Sequence, residues 1–343
     1  MKSDTIKSKE NIEKTEEVDE FTRLVEEFIN GNNDEPESQS EVEVLFNEKD
    51  IQNKETALDQ LNSLIGLENI KEAVKRDISF HRIMELRKSA GRRTPNRIPH
   101  LLLVGNPGCG KTTVAKLIGK IYYETGILEK DIFIETNRAS LVGRFIGESE
   151  SQTTELINEA RGGILFIDEI YSLANGDGND TRDFGKKVID TLIPVLSDPN
   201  SHLMVIGAGY PEEMKQFLAM NPGLASRFPL VLNFNDFSFE QLMEIAYSQI
   251  KKYDFHFSVE ADAKFRSLIQ DCMKIKNGGN ARMVVTTLDS YVIPRLCMRV
   301  DTSDLATINV DDTSVILPED IPSYDEVAFN HRNKNISCVG YRV

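Results

Sequence analysis

Apolar and polar residues follow two rhythms along this chain. Between residues 100 and 234, five short apolar runs, at 100–104, 131–135, 163–167, 202–207 and 229–234, alternate with stretches of helical spacing. Runs that are apolar throughout and joined by helices predict parallel strands buried on both faces, hence an α/β domain with helices on either side of one sheet. Upstream, Leu67, Ile70, Val74 and Ile78 form a helical stripe that Gly91, Pro95 and Pro99 close. After Asp236 the strand signals fade, and three helical stretches follow at about 238–252, 258–274 and 279–300. The expected organisation is an α/β domain over 56–235, a small all-helical domain over 236–317 and a polar tail over 318–343.

Residues 1–55 break the pattern. They are rich in Glu, Asp, Asn, Ser and Lys, and the polar stretch at 31–38 cannot bury the apolar area that ordering requires, so the segment is expected to be mostly disordered. Within it Phe21, Leu24, Val25, Phe28 and Ile29 recur at i, i+3, i+4, i+7 and i+8, which predicts a helix over 21–29. Such a stripe demands burial without naming the surface: a partner and the chain's own body are both open.

At 343 residues the chain is long enough for two domains held by hydrophobic burial alone. Its net charge is −15, and residues 1–50 hold six Lys/Arg against sixteen Asp/Glu, so an acidic tail precedes a nearly balanced body. That balance works against a phosphate-backbone partner, and nucleic acid is not expected. No apolar run approaches the roughly 18 residues needed to cross a bilayer, and the opening MKSDTIKSKENIEK has no apolar signal core. A cytoplasmic protein with no membrane partner is expected. Cys109, Cys272, Cys297 and Cys338 form no C-x-x-C pair and read as reduced thiols. His81, His100, His202, His256 and His331 form no H-E-x-x-H, so a protein-built zinc site is unsupported.

The strongest chemical signal is Gly105-Asn106-Pro107-Gly108-Cys109-Gly110-Lys111-Thr112, a G-x-x-x-x-G-K-T between a predicted strand and a predicted helix. Its glycines let successive backbone N–H groups turn inward around a phosphate, and the helix start adds a positive field. Lys111 then reaches the β/γ oxygens of a nucleotide, and Thr112 ligates Mg²⁺. Cys109 stands at a variable position where a small side chain suffices; a redox role would need an activated thiolate. About 57 residues further on, the run at 163–167 ends in Asp168 and Glu169. Asp168 suits the magnesium shell, and Glu169 suits the group that accepts a proton from, or orients, the water attacking a γ-phosphate.

With four further stretches, these motifs resemble the AAA+ ATPases over about residues 60–316. The stretches are Leu64-Ile65-Gly66-Leu67, Leu141-Val142-Gly143-Arg144-Phe145-Ile146-Gly147, Ala208-Gly209-Tyr210 and Asn221-Pro222-Gly223-Leu224-Ala225-Ser226-Arg227-Phe228. Within that superfamily the chain looks most like the group of stage V sporulation protein K and the red-type Rubisco activases. The resemblance implies a P-loop NTPase sheet of five parallel strands in the order 5-1-4-3-2 with a helical lid, and ATP and Mg²⁺ as ligands. It also implies a homo-oligomeric ring, hexameric in the family, that works on a protein threaded through its pore. Nucleotide contacts are implied for Asn106, Pro107, Gly108, Cys109, Gly110, Lys111, Thr112 and Thr113, for Ile65 and Gly66, and for Tyr210 and Arg282.

Arg227 matches the family's arginine finger, which reaches into the next subunit's site and neutralises charge on the transferred phosphoryl group. Arg282, in Gly279-Asn280-Ala281-Arg282, matches sensor 2, which contacts the γ-phosphate in its own subunit. Phe145, Ile146 and Gly147 match an aromatic–aliphatic–glycine pore loop, where a flat ring grips a peptide without reading its sequence. Beside it, Arg144 departs from the Gln or Glu of the pattern, which suits either an anionic substrate segment or an ion pair between subunits. Tyr210 stands where many of these proteins place an Asn that orients water. Two other classes stay open: a DNA-processing factor of helicase or clamp-loader type, which needs a basic face, and an ATP-dependent switch that threads nothing. The protein substrate is not named by motifs that define only the engine.

Overall fold

The computed structural model describes residues 55–95, 100–143, 147–174, 184–198, 201–220, 222–274, 280–301 and 310–333. The helix expected over 21–29 lies outside them with the rest of residues 1–54, and so do Arg144, Phe145 and Ile146.

Five parallel strands form the sheet: β1 (Leu101–Gly105), β2 (Phe133–Thr136), β3 (Ile164–Ile167), β4 (Met204–Gly209) and β5 (Leu230–Phe234). Their order, β2-β3-β4-β1-β5, is the expected 5-1-4-3-2 counted from the other edge. The central strands β3 and β4 are buried at every position, whereas edge strand β5 alternates, burying Leu232 and Phe234 and exposing Val231. This is why the inner runs are apolar throughout.

Helices cover both faces. On one, α1 (Ala57–Ser63), α2 (Glu68–Ser89) and α3 (Lys111–Glu124) pack Leu61, Ile70, Ile118 and Tyr122 onto Leu101, Leu103, Phe166 and Ile206. On the other are α4 (Arg138–Leu141), α5 (Glu148–Glu159), α6 (Phe184–Ser197), α7 (Pro211–Met220) and α8 (Pro222–Ala225). They set Leu141, Ile157, Leu192, Phe217 and Leu224 against Leu102, Leu165 and Val205. Each such fully buried side chain contributes about 1.5–3 kcal/mol. His100 is among the polar groups buried with them: the N–H of Val205 donates to its Nδ1 at 3.0 Å, and burial pushes the imidazole down to about 4.

Beyond β5 lies the lid. Helix α9 (Phe239–Lys251) starts with reciprocal capping: Ser238 Oγ accepts the Gln241 N–H at 3.2 Å, and Gln241 Oε1 accepts the Ser238 N–H at 2.9 Å. It packs with α10 (Val259–Cys272), α11 (Asn280–Thr287) and α12 (Ile293–Asp301) around Leu242, Phe265, Val284 and Leu296. The single helix expected over 279–300 is interrupted by a wide π turn at Leu288–Val292, just ahead of Pro294, whose ring nitrogen has no proton to donate to the preceding turn. The helical lid also carries a short parallel pairing of β6 (His256–Phe257) with β7 (Val315–Ile316).

The tail expected from residue 318 joins the lid instead, as far as residue 333. Ile321 and Val327 are buried in the lid core, and α13 (Tyr324–Asn333) packs on α10. Few apolar residues carry this docking, so the stretch reads as polar. An ion pair fastens it: Arg299 donates through Nε and Nη2 to the fully buried Asp320, both at 3.0 Å. Among the described residues, no helix is long and apolar enough to cross a membrane.

Candidate active site

The loop between β1 and α3 turns on Gly108 (φ +73°) and Gly110 (φ +94°), left-handed conformations that favour glycine. Gly105 is needed for space: a Cβ there would lie 2.6 Å from Phe234 Cβ and 2.9 Å from Cys109 Sγ. Gly110 occupies the N-cap of α3 and offers no side-chain cap. The amides of the first turn of α3 are therefore left for an anion. A backbone concavity of this shape at the start of a fourteen-residue helix fits a phosphate group.

Lys111 is buried and folds back over that loop. Its Nζ donates to Gly105 O at 2.7 Å and to Asn106 O at 2.9 Å, and sits 5.1 Å from the centre of the Tyr210 ring. Cys109, fully buried, lies with Sγ 3.8 Å from the same ammonium. Burial raises its thiol despite the neighbouring charge, the opposite of what a reactive thiolate requires. Thr112 is half-buried and Thr113 exposed on the first turn of α3.

Asp168 and Glu169 stand at the carboxyl end of β3, beside β1 and its loop in the sheet's order only through β4. Burial and then the charges of Glu169 and Glu135 raise the Asp168 carboxyl, while the Glu169 N–H, donating at 3.0 Å, and Lys111 oppose the rise. A carboxylate in such a setting is stabilised by a cation. Glu169 itself is in the left-handed region, φ +49°, and its Oε1 accepts the Tyr210 hydroxyl at 3.0 Å. Tyr210 is pushed up to about 12, first by burial and then by that hydrogen bond, with the charge of Arg282 acting against the rise. Tyr171 lies 5.8 Å from Tyr210, ring to ring. Among the described residues no group of three His, Cys, Asp or Glu can hold a metal ion. A Thr112 hydroxyl and an Asp168 carboxylate are oxygen donors of the kind that could hold a Mg²⁺ ion, which keeps waters and takes phosphate oxygens.

Ile65 and Gly66 form the turn between α1 and α2, with Gly66 at φ +66°. A Cβ on Gly66 would lie 2.6 Å from Gln241 Nε2 and 3.5 Å from a Phe237 ring carbon, so the turn abuts the start of the lid. Lys111, Asp168, Glu169 and Tyr210 are brought together, and the charge of Arg282, from the lid, acts on Tyr210. Arg227 follows α8 and is half-buried, with an enclosed Nε that has no hydrogen-bond partner. Gly147, φ +85°, is the N-cap of α5 and the described end of the pore-loop stretch. Sequence reasoning missed Asp236 and Asn280, which join the loop to the lid through Asn106. An Asn at a left-handed position, φ +45° at Asn280, leaves no mark that spacing reveals.

Two family descriptions match the chain, the ATPase family associated with various cellular activities (AAA) over residues 101–235 and the AAA lid domain over residues 238–331. Stage V sporulation protein K of Bacillus subtilis is 39% identical over 264 residues, which cover 75% of this chain and 81% of that protein. The chloroplastic ribulose bisphosphate carboxylase/oxygenase activase of Cyanidioschyzon merolae is 33% identical over 282 residues, covering 80% and 96%. Among solved structures, the FIGL-1 AAA domain in complex with ADP superposes with a TM-score of 0.52 at 20% identity over 84% of this chain and 93% of that one, a likeness of fold. Identity sustained across three quarters of the chain, with sheet domain and lid matched in succession, has one reading: the chain belongs to the AAA family of ATPases.

Proposed function

We propose that this chain is an ATP-hydrolysing motor whose subunits assemble into a ring, in the cytoplasm, and remodel a protein substrate through the central pore. The observation that carries the reading is the Glu169 carboxylate, turned by a left-handed backbone and tied to Tyr210 beside Asp168 and Lys111. A passive nucleotide binder has no use for that second carboxylate. The names of the relatives, a sporulation protein and a Rubisco activase, support a protein substrate and leave it unspecified.

In this reading the loop amides and Lys111 hold the β- and γ-phosphates, and Ile65 and Gly66 border the nucleoside. Thr112 and Asp168 would hold Mg²⁺, which neutralises charge on the phosphate oxygens. Glu169 takes the proton of the attacking water, and Tyr210 positions that carboxylate. Arg282 contacts the γ-phosphate from the lid. Arg227, half-buried after α8, reaches the site of a neighbouring subunit. Phe145, Ile146 and Gly147 grip the substrate. Nucleic acid has no part in it, in keeping with the acidic balance of the chain.

The test is Glu169→Gln. Turnover should fall by about 10²–10⁴-fold while nucleotide still binds, and the ATP-loaded variant should run as a larger assembly in size-exclusion chromatography. Undiminished turnover would remove Glu169 from the chemistry, and a monomer with ATP bound would remove the ring.

A further inference from the structure

The chain leaves Glu169 through a tight 3₁₀ turn, Ile170–Ala174, which is held at several points. The Ser172 N–H donates to the Glu169 carbonyl at 2.8 Å, and the Ser172 carbonyl accepts Nη1 of Arg138, from α4, at 2.6 Å. Ile170 is buried against Gly207 on β4, where a Cβ would lie 3.0 Å from its Cδ1. Tyr171, half-buried, sets its ring against the last residue of that strand: a Cβ on Gly209 would lie 2.8 Å from Tyr171 Cδ1 and 2.5 Å from Met214 Sδ on α7. Gly209 is not among the glycines with a left-handed φ, so glycine stands there for room and not for backbone freedom. The same Tyr171 ring meets Tyr210, centre to centre at 5.8 Å and with the planes 42° apart.

Tyr210 reaches Glu169 Oε1 with the atom farthest from its own backbone, a hydroxyl at 3.0 Å. A modest turn of the Tyr210 side chain would sweep that hydroxyl out of hydrogen-bond range. Two groups stand against the Tyr210 ring, the Tyr171 ring and the Lys111 ammonium 5.1 Å from its centre. The ammonium is the tip of a long chain shared with two loop carbonyls. Tyr171 instead belongs to a turn fixed by backbone hydrogen bonds and by a buried neighbour, and is the stiffer support. A general base acts only within hydrogen-bond reach of the proton that it takes, so whatever fixes the Tyr210 hydroxyl also fixes the aim of the carboxylate.

We propose that Tyr171 is a positioning residue for hydrolysis: its ring, seated over Gly209, packs on Tyr210 and fixes the hydroxyl that orients Glu169. The contact is made by the ring, at Cδ1 and across the two ring faces, so phenylalanine can replace Tyr171 and an aliphatic side chain cannot. The inference rests on the reading of Glu169 as the group that takes the proton of the attacking water.

The test is steady-state ATP hydrolysis by Tyr171→Leu, Tyr171→Phe, Tyr210→Phe and the double variant Tyr171→Leu/Tyr210→Phe, with thermal melts and binding of a non-hydrolysable ATP analogue as checks on folding. Tyr171→Leu should lower kcat about tenfold, the scale of an aromatic pair, while KM and analogue affinity stay within twofold of the parent. Tyr171→Phe should restore kcat to within twofold. In the Tyr210→Phe background there is no hydroxyl left to aim, so adding Tyr171→Leu should lower kcat by less than twofold more. A ring that merely supported the fold would give losses that multiply. Tyr171→Met fills the same space without a ring and replaces the leucine variant if that protein does not fold. A ringless variant with the parent's kcat would overturn the proposal, as would a full further tenfold loss in the double variant or a phenylalanine variant as slow as the leucine one. Undiminished turnover in Glu169→Gln is a separate failure, that of the reading beneath it.

Discussion

His100 and Glu169 show how burial and backbone set the chemistry of single residues here. The imidazole of His100 is fully enclosed, accepts the Val205 N–H and titrates near 4, well below its ordinary value of about 6.5. Its neutral form belongs to the folded state, so protonation favours unfolding. Stability from this group is present above pH 6.5 and is lost as the pH falls toward 4, by of order 3 kcal/mol across that window. His100→Gln keeps an acceptor for Val205 and cannot titrate, so urea midpoints between pH 7 and 4.5 should fall less steeply for the variant. Parallel slopes would mean that His100 does not carry the acid sensitivity. Lys111, Asp168 and Glu169 were legible because their spacing follows from a loop and a strand end. The Tyr210 bond to Glu169 was not, since its partners are 41 residues apart in the chain and meet only when β3 and β4 pair.

At the scale of elements, the β1–α3 loop and the 299–320 fastening of the lid are the two places where local sequence and packing bear hardest on each other. Gly105→Ala would push a methyl group into Phe234 and Cys109, and overpacking of that kind costs about 1–3 kcal/mol. The variant should melt earlier and bind nucleotide more weakly, as differential scanning and titration calorimetry can measure; an unchanged affinity would show that the loop absorbs the methyl without moving. Arg299→Ala leaves the buried Asp320 carboxylate without its cation, and the expected loss is about 3–5 kcal/mol. Chemical unfolding should show it, and a loss below 1 kcal/mol would mean that water reaches Asp320. The strands were readable as apolar runs. The break in the third lid helix was also written locally, in Pro294, but the helical stripe on either side of it masked the interruption. The docking of 318–333 was hidden because Ile321 and Val327 are too few to form a stripe.

For the whole molecule the question is where one chain's site ends and the next begins. Glu169→Gln and Arg227→Ala should each be inactive alone in ATP hydrolysis, yet a mixture should regain turnover, because an intact Glu169 in one subunit would meet an intact Arg227 from its neighbour. A mixture as inactive as its parts would place Arg227 in the service of its own subunit. Some properties follow from the order of residues alone: the sheet of parallel strands, the helical lid, the glycine-rich loop after β1 and the carboxylate pair that ends β3. Each depends on residues close together in the chain, through the period of apolar positions or the backbone freedom of glycine. Other properties depended on the fold. Capture of Glu169 by Tyr210 and the joining of Asn106 to Asn280 through Asp236 both unite atoms distant in sequence. Their distances are set by how the sheet and lid pack, which no local pattern encodes.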